Sequence, residues 1–182
     1  MKSLKWFTRL LMLLLVLAIG LVSAALISNQ VPFLAAPGPA ERLPIYLSEN
    51  RIVTSENAVL PELRLTYYEV RPRVAFEAAT AAVMDLGWDI LNADGDQYSL
   101  HAVATTPWLR FQDDFYLQVR ETDPGLIALH VISQSRVGEA DLGANLRHWL
   151  NFRHRFEQQL RRRPFIDDDE PDAEEALAPE VD

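Results

Sequence analysis

The stretch Phe111-Gln112-Asp113-Asp114-Phe115-Tyr116-Leu117-Gln118-Val119-Arg120 sets the reading of this chain. Phe115, Leu117 and Val119 fall on one side, and Tyr116, Gln118 and Arg120 on the other. A two-residue period of this kind belongs to a strand with one face on a core and one in water. Upstream, Gln97 to Thr105 repeats the pattern, with Tyr98, Leu100, Ala102 and Ala104 on one face. Downstream, Leu126 to Ser133 is apolar on both sides, as expected of a central or covered strand. Asp94-Gly95 and Pro124-Gly125 mark tight turns. Trp88 to Leu91 predicts a further short strand. Leu63, Leu65 and Tyr67, alternating with Arg64, Thr66 and Tyr68, predict a first strand near Glu62.

Two stretches carry helical spacing instead. Phe76, Ala79, Val83 and Leu86 predict a helix from Pro72 to Leu86, with proline at its first turn and Gly87 just past its end. Leu142, Leu146, Trp149, Leu150, Phe156 and Leu160 predict a second helix, from Leu142 to Arg162. Asp141 stands where a cap belongs. Arg161, Arg162 and Arg163 suit the negative end of the helix dipole, and Pro164 stops the helix. The order is β-α-β-β-β-β-α. It predicts an α+β fold over residues 45–163, an antiparallel sheet of about five strands with both helices on one face. Ile45 to Pro61 reads as a loop with a short strand.

The N-terminus is of another kind. Lys2, Lys5 and Arg9 precede an uncharged run from Leu10 to Ile27. Its length as a helix, about 27 Å at 1.5 Å per residue, nearly matches a hydrocarbon core of about 30 Å. Leu, Ile and Val residues fill most of it, each favouring insertion by about 0.3–0.6 kcal/mol. Residues 1–27 are therefore read as a transmembrane anchor or a signal peptide. Val22-Ser23-Ala24 offers small residues for cleavage, but the run continues past them, which favours the anchor. The basic flank places the domain on the non-cytoplasmic side of a single-pass protein; cleavage would make it secreted or periplasmic. Residues 28–44, with Pro32, Pro37, Pro39 and Pro44, predict an extended linker.

The net charge of −9 resides in the C-terminal tail: Asp167 to Asp182 holds nine acids and no base. Residues 164–182 lack the apolar content to fold and are read as disordered. The remainder is near neutral and shows no basic face of the kind that binds nucleic acid. The chain has no cysteine, which excludes disulfides, thiolate metal sites and cysteine nucleophiles.

Ser135-Arg136-Val137-Gly138-Glu139-Ala140-Asp141-Leu142-Gly143-Ala144-Asn145 resembles the Ser-Arg-x-Gly-x-x-Asp-x-Gly-x-Asn signature of the family called domain of unknown function 1499. Phe111-Gln112-Asp113-Asp114-Phe115 is similar to that family's Phe-x-Asp-Asp strand start, and Asn50 to Ser55 to its N-terminal segment. The resemblance covers roughly Asn50 to Leu160. Two departures stand out: no cysteine near the N-terminal segment, and His148 where the family has a basic residue three after the asparagine. The resemblance implies an exported or membrane-attached domain and no particular activity.

Candidate functional residues are few. Asp113 and Asp114 look like a carboxylate pair, but neighbours on a strand point to opposite faces, so they cannot act on one bond. A structural ion pair is expected, with Arg153 or Arg136 meeting Asp113 or Asp114. Arg153 lies within the apolar stripe of the last helix, where a charge is costly unless paired. The corner Arg136, Gly138, Asp141, Gly143 and Asn145 is the best binding candidate, since a helix N-terminus could hold an anion there. Its alternative is a structured strand-to-helix turn in which Asp141 takes the same donors. Trp108, in Thr105-Thr106-Pro107-Trp108-Leu109, either touches a membrane or partner or covers a sheet edge. His101, His130, His148 and His154 form no metal-ligand spacing, and no nucleophile elbow, P-loop or dinucleotide fingerprint occurs. No catalytic residue, cofactor or metal is expected.

The leading expectation is a non-enzymatic binding or scaffolding module of the cell envelope. It is held at the membrane by the N-terminal helix and meets an envelope protein or lipid. The alternatives are a carrier of an apolar or lipid ligand between sheet and helices, in space left by Ala78, Ala79 and Ala82, and a hydrolase using Arg136 and Asp141.

Overall fold

A computed structural model describes residues 2–106 and 110–162. Trp108, read as touching a membrane or partner or covering a sheet edge, and the acidic tail, read as disordered, lie outside the described residues. Within them the chain forms four helices and one six-stranded antiparallel sheet. Helix α1 spans Lys2–Ser28 and α2 spans Pro39–Ser48. Strand β1 (Arg51–Val53), a 3₁₀ turn (Pro61–Leu63) and β2 (Tyr67–Glu69) lead to helix α3 (Pro72–Asp85). Strands β3 (Asp89–Asp94), β4 (Ser99–Thr105), β5 (Gln112–Asp123) and β6 (Leu126–Ser135) follow, and α4 (Ala144–Arg162) closes the fold.

The sheet order is β1-β6-β5-β4-β3, with β2 also paired to β6. β6 is therefore internal, in keeping with its apolar residues on both sides. β5 and β6 form the long central hairpin, with Tyr116 opposite Ile132 and Val119 opposite Leu129. Gly125, at φ +75°, makes the turn between them, a conformation that suits glycine. The border strands are short or broken. β1 and β2 have three residues each, and β3 slips register between Ile90 and Asn92.

Register fixes what each face carries. Leu100, Ala102, Phe115, Leu117, Val119, Leu129 and Val131 point inward and are buried. α3 and α4 cover this face, α3 over β3 to β5 and α4 over β6 and β1. Rings fill the layer: Phe115 stands 4.9 Å from Phe152 and 5.0 Å from Trp88, and Tyr68 meets Phe156 edge-on at 5.1 Å. Ala75, Ala78, Ala79 and Ala82 are wholly buried, so the small side chains of α3 bring its backbone close rather than leave a hollow. The end of α3 is a Schellman turn, with Trp88 N–H on Val83 O and Gly87 N–H on Met84 O.

β1 is the short strand expected between Ile45 and Pro61, and with it the sheet has six strands. Three expectations need correction. The strand foreseen from Leu63 starts only at Tyr67, because Leu63 closes the 3₁₀ turn that Pro61 begins and is buried there. The second helix starts at Ala144, not Leu142, because Leu142 (φ +53°) and Gly143 (φ +83°) are left-handed. Residues 28–44 are not simply extended. Pro39 opens α2, and Arg42 within it is fully buried. The Arg42 guanidinium donates to Glu62 at 2.8 and 2.9 Å, to Tyr46 Oη at 2.9 Å and to the carbonyls of Ala35 and Ala36. A buried charge needs such partners, and here they hold α2 against the domain.

α1 is long and apolar enough to cross a membrane, over Leu4–Ser28, and none of its most apolar window is buried. It is unbroken through Val22-Ser23-Ala24.

Candidate functional site

The corner between β6 and α4 gathers the signature residues. Asn145 is its hub and has no exposed surface. It accepts from Ser133 Oγ at 2.5 Å and donates to Asn50 O and Ser135 Oγ at 2.9 Å and to Asp141 Oδ2 at 2.7 Å. Asp141 in turn accepts the backbone N–H groups of Gly143 (2.7 Å) and Asn145 (2.9 Å). Burial pushes its carboxyl above the usual range, while those N–H groups pull the other way. The carbonyl of Gly138 (φ +94°) accepts from Asn50 Nδ2 at 2.6 Å. Among the described residues no buried side-chain polar atom lacks a partner. The donors that would hold an anion are thus occupied by Asp141.

The same corner meets the N-terminal helix. Asn29, just past α1, donates to Leu142 O at 3.0 Å. Val31 lies so close to Gly143 that an added Cβ would stand 2.3 Å from Val31 Cγ1. Leu26, Val31 and Phe33 pack on the core cluster. Glycine is required at 143 twice over, for its positive φ and for this approach.

Asp113 and Asp114 diverge as the strand period requires. Asp113 points to the helices, is buried, and bonds His148 Nε2 at 2.8 Å. His148 also meets Trp88 edge-on at 5.4 Å. Asp114 points to the uncovered face. Arg136 grips it through Nε at 2.8 Å and a terminal nitrogen at 2.7 Å, and His101 Nε2 lies 2.8 Å away. Arg136, then His101, hold its carboxyl down to about 2. The expected Arg136–Asp114 pair is present. Arg153 pairs with neither acid. It lies 5.7 Å from the centre of the Trp149 ring, one helical turn back, and reaches Glu62 O at 3.5 Å. The ring face offers the cation a partner on its own helix. His148 does what was expected of Arg153, and the one signal for it was its place three residues after Asn145.

The sheet face without helices carries a hollow of about 590 Å³, lined among others by Asn92, His101, Tyr116, Gln118, Arg120 and His130. His101 stacks on Tyr116 at 4.2 Å, with 17° between the rings. Burial, then the nearby Arg120, lowers the His130 pKa and keeps the ring neutral at neutral pH. The face thus offers a flat aromatic platform, a cation and neutral donors and acceptors. The His101–Asp114 pair has the orienting half of a catalytic dyad, but among the described residues His101 bonds no nucleophile. Among the described residues no cluster of histidines and acids could hold a metal. Sequence reasoning missed this face, because side chains from β3 to β6 converge only through register.

A family model described as Protein of unknown function (DUF1499) matches residues 44–156. No curated protein matches the chain.

Proposed function

The chain belongs to the DUF1499 family, and from that premise we propose that it is a membrane-held binding module whose recognition surface is the uncovered face of the sheet. The domain sits on the non-cytoplasmic side, since the basic residues Lys2, Lys5 and Arg9 flank the apolar helix at its other end. The observation that carries the reading is the hollow at Tyr116 and His130. It joins an exposed aromatic ring to polar groups on a rigid sheet, the composition typical of sites that orient a ligand. The signature corner supports it differently. Its other polar groups bind one another, Asn50 and the residues just past α1, so Gly138, Asp141, Gly143 and Asn145 act as the joint that presents this surface, while Arg136 holds Asp114 on it. A carrier of an apolar ligand between sheet and helices is less well supported, because aromatic rings fill that layer. A hydrolase built on Arg136 and Asp141 would need groups already committed to Asp114 and to the helix N-terminus.

The test is photo-crosslinking in native membranes, with a benzophenone amino acid replacing Tyr116 or, as control, the exposed Met84 on α3. A discrete adduct at position 116, lost when Arg120 and His130 are also changed to alanine, is the expected result. Identical adducts at both positions would remove the sheet face as the recognition surface.

A further inference from the structure

A second hollow lies between α1 and α2. It measures about 760 Å³. Its walls are the last turns of α1, from Ala18 to Ile27, and Leu43 and Leu47 of α2; Val31 and Phe33 close it toward the domain. The lining is almost wholly apolar. α2 is two-sided. Arg42 and Tyr46 are buried against the domain, while Leu43 and Leu47, one residue further round, face α1. Leu47 remains 44% exposed and Leu34, in the loop before α2, 84% exposed. Apolar side chains held open to water in this way are unfavourable in a water-surrounded protein.

Depth supplies the occupant. Ile27 ends the apolar run, so it marks the water side of the hydrocarbon core. Ala18 lies nine residues deeper, about 14 Å at 1.5 Å per residue, which is within one leaflet of a core about 30 Å thick. One wall of the hollow is thus the membrane-crossing helix itself, and the hollow opens at the level of the acyl chains.

We propose that the wedge between α1 and α2 is filled by acyl chains of the bilayer lipid, with Leu34, Leu43 and Leu47 immersed at the membrane surface. α2 then lies in the interface as an amphipathic helix, and the domain rests on the bilayer instead of standing off it. This inference rests on the reading of α1 as a retained anchor.

The chain has no cysteine, so single cysteines can be placed cleanly in the full-length protein. Leu14→Cys, Leu47→Cys and Leu91→Cys, each exposed, are labelled with an environment-sensitive fluorophore and reconstituted in phosphatidylcholine vesicles. Vesicles with and without a nitroxide on the upper acyl chain are compared. The expected result is strong quenching at Leu14 and Leu47 and none at Leu91, on the far border of the sheet. Loss of quenching at Leu47 when Leu43 is changed to serine would strengthen the proposal. Quenching at Leu14 without quenching at Leu47 overturns the wedge but leaves the anchor standing. No quenching at Leu14 overturns the anchor and the wedge with it.

Discussion

Replacing Gly143 by alanine should loosen the domain from its N-terminal helix, and the cost divides into two separable parts. The first is conformational. Gly143 sits at φ +83°, where an L side chain costs about 1–2 kcal/mol. The second is steric. The new methyl would stand 2.3 Å from Val31 Cγ1, and forced overpacking of this kind costs about 1–3 kcal/mol. The single variant should therefore lose about 2–5 kcal/mol. Val31→Ala removes the obstacle and should itself cost about 1 kcal/mol, since Val31 is only partly buried. In the double variant the steric part vanishes and the conformational part stays. The two changes should then couple favourably by about 1–3 kcal/mol. Urea unfolding of the full-length chain in detergent micelles, followed by the fluorescence of Trp88 and Trp149, measures all four corners of the cycle. Strict additivity would mean that Val31 and Gly143 do not touch, and the joint described above would be refuted.

His148→Ala strands the buried Asp113 carboxylate and should cost about 2–4 kcal/mol in the same unfolding assay. Asn145→Asp should be worse than Asn145→Ala, because it sets a second carboxylate 2.7 Å from Asp141 and removes the donor to Asn50; comparing the two urea midpoints tests this. Asp114 titrates at about 2 against an ordinary 3.8. Its pairing with Arg136 therefore stabilises the fold fully above the ordinary value, and that contribution is lost as pH falls toward 2. Arg136→Ala should move the Asp114 carboxyl up toward the ordinary range, as read by carbon NMR titration, and flatten this limb of the stability profile. Arg42→Ala leaves Glu62 without its partner and should free α2 from the domain; faster proteolysis between Pro39 and Ser48, with a lower urea midpoint as Tyr46 leaves the core, is the expected sign.

β4 and β5 were legible because their residues alternate between a buried face and a more polar one, and β6 because a run apolar on both sides belongs to a covered strand. The turns at Asp94-Gly95 and Pro124-Gly125 were legible for the same local reason. The first strand was misplaced because Leu63, Leu65 and Tyr67 alternate while Pro61 starts a turn that uses Leu63 differently. Residues 28–44 misled because proline spacing speaks for extension, yet a proline at the first turn of a helix costs nothing, and the Glu62 that holds Arg42 lies twenty residues further on. The opposite headings of Asp113 and Asp114 followed from strand period alone. Their partners did not, since a choice between His148 and Arg153 depends on helix rotation, which five residues of spacing cannot fix. The groove at Tyr116 and His130 was invisible because it is a property of register between strands.

The borders of the sheet would matter to a chain whose first helix is kept as an anchor. A protein confined to a plane meets its own copies often, and a long run of unpaired backbone N–H and C=O groups would invite them to zip together. One border here is divided between two strands of three residues each. The other is interrupted between Ile90 and Asn92 and carries Asp89 and Asp94 at its ends. Neither offers enough consecutive backbone to template a neighbour, so even densely packed copies should stay separate sheets rather than merge into a ribbon.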